Sequence, residues 1–187
     1  MFGIKSKSSQ VKFTLSAICL ICFFIYANVT ADTGHNAEVT VLQDGKLITE
    51  LAKDINSAED SIYLAVYMFK NYNYTKNGAG LIKSSLIKAA KRGIKVHVAM
   101  DFSGDGGFLD RENKKTGKEL SKHNIIVVYD SPDIRMHSKC AVIDEKISYI
   151  GSHNYTNSAL KYNRELTVRI ASPEVAKETI EHIKTIK

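Results

Sequence analysis

Between His137 and Asn154, a span of eighteen residues, the chain gathers an imidazole, an ammonium group, a carboxylate and a polar Ser/Asn pair. His137-Ser138-Lys139 leads, Asp144 follows, and Gly151-Ser152-His153-Asn154 closes the set. An imidazole titrates near neutral pH, so it can act as nucleophile or as general acid and base. A lysine can neutralise the non-bridging oxygens of a phosphate as a point charge. Ser and Asn can donate hydrogen bonds to the same oxygens. Together these are the parts needed to attack and hold a phosphodiester without a metal.

The elements that must position them are legible nearby. Arg135 to Ile143 is β-compatible, Ile147 to Ile150 is a second apolar run, and Asp144-Glu145-Lys146 is a polar turn between them. In a strand, residues two apart share a face, so His137 and Lys139 point one way and Ser138, Cys140 and Val142 the other. The returning strand brings Gly151, Ser152 and Asn154 back toward the start of the first. Gly151 suits a close backbone approach or a conformation closed to other residues. A solvated strand would explain a lone His or Lys, and a capped turn a lone Asp. Neither accounts for all of them beside Gly-Ser-x-Asn.

The spacing H-x-K-x4-D-x6-G-S-x-N resembles the signature of the phospholipase D superfamily at all six fixed positions. The resemblance implies a two-step transfer in which one motif histidine attacks phosphorus and forms a covalent phosphohistidine. A second motif histidine protonates the leaving oxygen and then activates water. One hard displacement becomes two easier ones. Carried over residue by residue, His137, Lys139 and Asp144 are the catalytic set, with Asp144 holding the loop and the site's charge balance, and Lys139, Ser152 and Asn154 bind the phosphate. Asn163-Arg164-Glu165 resembles the Asn-x-Glu of single-motif nucleases in the superfamily. Glu165 would then hold one imidazole nitrogen and free the other, as the third member of a triad does. As the polar first residue of a strand it would do nothing chemical. The resemblance implies no cofactor and no metal.

The motif occurs once. His35, His97, His123, His153 and His182 all lack the following Lys and Asp. Two-histidine chemistry therefore requires two chains, and a homodimer with its active site on a two-fold axis is expected. Short, single-motif, exported chains of the superfamily resemble bacterial endonucleases, which makes DNA or RNA the first expected substrate. A phospholipase that cleaves phospholipid such as cardiolipin is the alternative. A non-enzymatic nucleic-acid binder is a third reading, and the intact motif argues against it.

The N-terminus carries a separate message. Lys5, Lys7 and Lys12 precede an apolar stretch from Phe13 to Ala27, and Val29-Thr30-Ala31 offers small residues before Asp32. This reads as a signal peptide over residues 1–31, ahead of a catalytic domain at 32–187. A membrane anchor over residues 13–31 is the alternative. Losing the three leader lysines lowers the net charge from +6 to +3, only a mild argument for a polyanionic partner. Cys140 is the one cysteine left in a mature chain, so no intramolecular disulfide is expected despite export. A secreted or periplasmic location of bacterial type fits. Asn154-Tyr155-Thr156 is a glycosylation sequon within the expected site, and a glycan there would block phosphate.

Expected strands are Ala37–Leu42, Ser61–Phe69, Lys95–Met100, Ile125–Tyr129, the motif hairpin and Leu166–Ile170. Expected helices are Lys46–Ser57, Leu81–Arg92 ending at Gly93, Asp110–His123, and a last one capped by Ser172 with Pro173 at its first position. Their alternation predicts an α/β fold, an α-β-α layered sandwich on a mixed central sheet, parallel early and antiparallel at the hairpin. The phospholipase D fold resembles this order. Three surface segments remain. Asn71 to Gly78 carries tyrosines and Lys76 that could meet nucleic acid. Ser103-Gly104-Asp105-Gly106-Gly107 could suggest a metal loop, without the spacing of a calcium hand. Lys114, Lys115, Lys118 and Lys122 share a helix with Glu112 and Glu119, as a solvated face does.

Overall fold

The computed structural model describes residues 34–70 and 78–187. The leader expected at the N-terminus and the tyrosine-bearing loop up to Asn77 lie outside the described residues.

Seven strands form one sheet: β1 (Glu38–Gln43), β2 (Ser61–Val66), β3 (Lys95–Met100), β4 (Ile126–Tyr129), β5 (Lys139–Ile143), β6 (Ile147–Gly151) and β7 (Leu166–Ala171). Their spatial order is β1-β7-β6-β5-β2-β3-β4. β2, β3 and β4 run parallel, while every pairing from β2 through β5, β6 and β7 to β1 is antiparallel. The sheet is thus mixed, as expected. β1 lies at the edge against β7, and only Leu42 of that strand is buried.

The helices are α1 (Lys46–Ser57), α2 (Gly78–Lys91), α3 (Phe108–Ser121), the short α4 (Asn157–Lys161) and α5 (Pro173–Thr185). One face of the sheet packs Leu51 and Ile55 of α1, Ile82 and Leu86 of α2, and Leu120 of α3 against Ile62, Leu64, Ala141 and Ile143. The other face packs Ala176, Ile180 and Ile183 of α5 against Ala65, Ala99, Cys140 and Val142. Alternation along β5 therefore divides two cores, which gives the layered sandwich its three layers. Full burial of each Leu or Ile contributes about 1.5–3 kcal/mol.

Local signals set the boundaries. Gly93 takes φ +95° after α2, and Ser172 Oγ accepts the Val175 N–H to cap α5. α4 was not expected; Thr156 starts it by accepting the Ala159 N–H at 3.2 Å. The strand expected to reach Phe69 stops at Val66. Beyond it the Tyr67 N–H turns to Ser138 O, and the Phe69 N–H goes to the Asn113 side chain at 2.8 Å. Phe69 stays apolar because it is core, without being in the ladder.

Candidate active site

The start of β5, the end of β6, the start of β7 and the C-terminal ends of β2 and β3 meet at one end of the sheet. Lys139 opens β5 opposite Val66, the last residue of β2. His137 lies two residues before the strand, not within it as expected, and is exposed. Ser152 and Asn154 follow β6, and Glu165 precedes β7. His137, Lys139, Ser152, Asn154 and Glu165 thus come from neighbouring segments of this end.

Asp144 does not join them. Ile143 pairs with Ile62 at the other end of β2, so Asp144 lies five residues along the strand from Lys139, roughly 16 Å away at strand spacing. Its carboxylate accepts the N–H groups of Glu59 at 3.0 Å, Asp60 at 2.8 Å and Ser61 at 3.1 Å. Burial pushes its pKa up, but these three bonds outweigh it and hold the carboxyl below its ordinary value. Asp144 thus stands away from the imidazole and fastens the hairpin turn to the entry of β2, the loop-holding part of the role expected of it.

His137 rests on Tyr67, ring centroids 4.6 Å apart and tilted by 55°. The Lys139 ammonium lies 4.9 Å above the same ring and donates to the His137 carbonyl at 2.6 Å. Burial lowers the Lys139 pKa, opposed by the charges of Glu165 and Asp101. Arg135 crosses the Tyr67 ring at 5.7 Å, donates to its hydroxyl at 3.3 Å and to Asp101 Oδ2 at 3.0 Å. Asp101 is only 1% exposed, and its Oδ1 accepts the Met136 N–H at 2.8 Å. Burial raises its pKa against the Met136 N–H and Arg135.

Glu165 holds no imidazole of its own chain. Ser152 Oγ donates to its Oε2 in a very short bond, and Asn163 Nδ2 donates to Oε1 at 3.0 Å. The Ser152 proton expected on a phosphate is therefore committed to Glu165, and the Ser152 N–H goes to Leu166 O at 2.9 Å. Asn154 has its Oδ1 buried and without a hydrogen-bond partner, an arrangement that native proteins rarely keep without a functional reason. His153 is structural. Its ring nitrogens meet Thr167 Oγ1 at 2.7 Å and Asp44 O at 2.9 Å. A side chain on Gly151 would collide with Thr167 and the Leu166 backbone, so this glycine serves the close approach of β7.

On the α5 side of the motif, a cleft of about 430 Å³ is lined by His137, Lys139, Ile150, Gly151, Val175 and His182. Ser138 Oγ and His182 Nε2 share a hydrogen bond of 2.9 Å at its wall. The Ser103–Gly107 loop is held by two carboxylates, that of buried Asp110 on α3 and that of exposed Asp105. Asp110 Oδ1 accepts the Ser103 N–H and Oδ2 the Gly106 N–H, while Asp105 accepts from Gly107.

Residues 51–187 match the model of the cardiolipin synthase, PLD-like domain family. The chain belongs to the phospholipase D superfamily. This is a superfamily of phosphodiester-cleaving hydrolases. Its similarity to the phospholipase D of Rickettsia conorii is 32% identity over 132 residues, 71% of this chain and 60% of that protein. The chain thus spans about 60% of the length of that curated relative. Cardiolipin synthase A of Proteus mirabilis is 28% identical over 57% of this chain and 23% of its own length. Among solved structures, Nuc of Salmonella typhimurium, a phospholipase D family member, superposes with TM-score 0.68 and 25% identity, covering 81% of this chain and 94% of its own. NucT of Helicobacter pylori shares the fold, with TM-score 0.65, 21% identity and cover of 81% of this chain and 96% of its own.

Sequence reasoning passed over Tyr67, Asp101 and Arg135 as site residues. A signal existed for the first two. Each directly follows an apolar parallel strand, the end where α/β sheets set their ligands.

Proposed function

We propose that this chain is a metal-independent phosphodiesterase, an exported endonuclease for DNA or RNA that works through a phosphohistidine in a homodimer. One observation carries the reading: an exposed imidazole, seated on Tyr67 and anchored through Met136 to Asp101, stands beside a partly buried ammonium. His137 attacks phosphorus and the P–O bond to the leaving group breaks. The His137 of the second copy protonates that oxygen, then takes a proton from water as it cleaves the P–N bond. Lys139 offsets the charge on the non-bridging oxygens. Asn154, at the same end of the sheet, supplies an amide to them. The single motif supports the dimer, because the second imidazole must come from another chain. The leader-like N-terminus supports export.

Cleavage of phospholipid is the second reading. It is favoured by the names of the relatives and by the cleft beside His137, whose wall includes Ile150 and Val175. Plasmid nicking and oligonucleotide cleavage in EDTA, run beside cardiolipin hydrolysis, test both. EDTA-resistant cutting of nucleic acid, abolished in His137→Ala, is expected. Full activity of that variant would refute the site, and loss of activity on chelation would refute the metal-independent mechanism.

A further inference from the structure

Beyond the reacting groups, the same end of the sheet carries a row of aromatic rings, each beside a cation. Tyr67 has Arg135 and Lys139 over it. Phe102 has the Lys114 ammonium 4.1 Å from its centroid, and Phe108 has that of Lys70 at 5.2 Å. Phe102 directly follows Asp101, the partner of Arg135. The row therefore runs from His137 through Arg135 to the first turns of α3.

Its backing is rigid. Asn113 of α3 is fully buried, donates to Tyr67 O and Asp101 O at 2.9 Å each, and accepts from the Phe69 N–H at 2.8 Å. Thr116 Oγ1 donates to Phe69 O at 2.5 Å. α3 is thereby clamped to the ends of β2 and β3. The outer members remain accessible: Phe108 is 53% exposed, the Arg135 side chain 52%, and Lys114 is exposed. The nearby carboxylates of Asp105 and Asp110 accept N–H groups of the Ser103–Gly107 loop.

We propose that this row is the track that leads an unpaired nucleic-acid strand to His137; the proposal rests on the nuclease reading above. An exposed ring beside an ammonium suits a nucleotide, whose base stacks on the ring while its phosphate meets the cation. Stacking requires an open base face, which a duplex covers. The track therefore selects single strands and is indifferent to base identity.

The test uses the full chain and an end-labelled single-stranded oligonucleotide, the duplex of the same sequence, and bis(p-nitrophenyl) phosphate. Phe108→Ala is expected to raise KM for the single strand about tenfold with kcat kept, in line with the loss of one stacking contact. Phe108→Tyr retains the wild-type KM and Phe108→Leu does not. Lys114→Gln lowers the salt dependence of KM by about 0.7 in log–log slope, the loss of one phosphate contact. Turnover of the small diester stays unchanged in all four variants. Unaltered KM in Phe108→Ala overturns the track and leaves the nuclease reading standing, as does an equal loss on duplex. So does a Phe108→Ala defect confined to binding of anionic phosphatidylglycerol vesicles. A wild-type chain that hydrolyses cardiolipin and cuts no nucleic acid overturns both.

Discussion

The Asp101 carboxylate accepts the Met136 N–H at 2.8 Å, so a buried acid at the end of β3 fixes the chain one residue ahead of His137. The same carboxylate binds Arg135, which crosses the ring on which His137 rests. Asp101 and Tyr67 are positioning residues: they set where the imidazole stands and take no proton themselves. Asp101→Ala is expected to lower kcat by about 100-fold with little change in KM, the cost of a displaced reacting group. Asp101→Asn keeps an acceptor for Met136 and recovers most of that loss. Tyr67→Phe keeps the ring and stays near wild type, while Tyr67→Ala falls with Asp101→Ala. Steady-state kinetics on a small diester decides it. Equal kcat in Asp101→Ala and wild type would remove Asp101 from this role.

Asp144 has the opposite profile. Three N–H groups at the entry of β2 depend on it, and it sits far from His137. Asp144→Ala should lose about 2–3 kcal/mol of stability, as expected for charged hydrogen bonds left unmade, while kcat at low temperature stays unchanged. The pH dependence follows from its lowered pKa. The folded state holds the carboxylate ionised more firmly than the unfolded chain does, so the stabilisation is complete above the ordinary value of 3.8. It is lost as pH falls below that value and through the lower folded one. The gap in Tm between wild type and Asp144→Ala should therefore be constant near neutrality and close in strong acid. A gap that stays open in acid would assign the bonds no part in stability.

The neighbouring turn stores a smaller strain. Asp144 and Glu145 both take positive φ, +53° and +54°, with the Lys146 N–H returning to Ile143 O at 3.1 Å. This mirror-image turn matches the twist of a hairpin but is costly for a residue with a side chain. Glu145 is exposed. Glu145→Gly is expected to raise stability by about 0.5–1 kcal/mol, read as a shift in denaturation midpoint at unchanged m-value. A fall in midpoint would show that chain entropy outweighs the strain.

Much of this was legible beforehand because the relevant signals are local. α1 was placed to the residue by Leu47, Ile48, Leu51 and Ile55 on one face, and the start of α5 by Ser172 with Pro173. The motif residues were picked out by residue type and spacing together with the resemblance to the superfamily signature. What spacing cannot give is the direction in which a strand carries a residue. Asp144 is five positions from Lys139 in sequence, and in an extended strand that distance is most of the height of the sheet. Glu165 was picked out, yet its partners, Ser152 and Asn163, depend on how β6 meets β7. Tyr67 and Asp101 directly follow β2 and β3, and only the pairing of β5 beside β2 brings them to His137.

The proposed dimer admits a direct count. If each turnover needs two imidazoles, one from each chain, a dimer holding one wild-type and one His137→Ala subunit is dead. Random exchange of equal amounts yields wild-type, mixed and mutant dimers in the ratio 1:2:1. Total activity should then fall to about half of that of the unexchanged mixture, as a two-fold site demands. Were each chain competent alone, exchange would leave activity unchanged, because the number of intact His137 residues is the same before and after. Following activity while differently tagged subunits exchange, with the mixed species counted by native mass spectrometry, separates the two cases. Constant activity alongside a full complement of mixed dimers would end the two-chain mechanism.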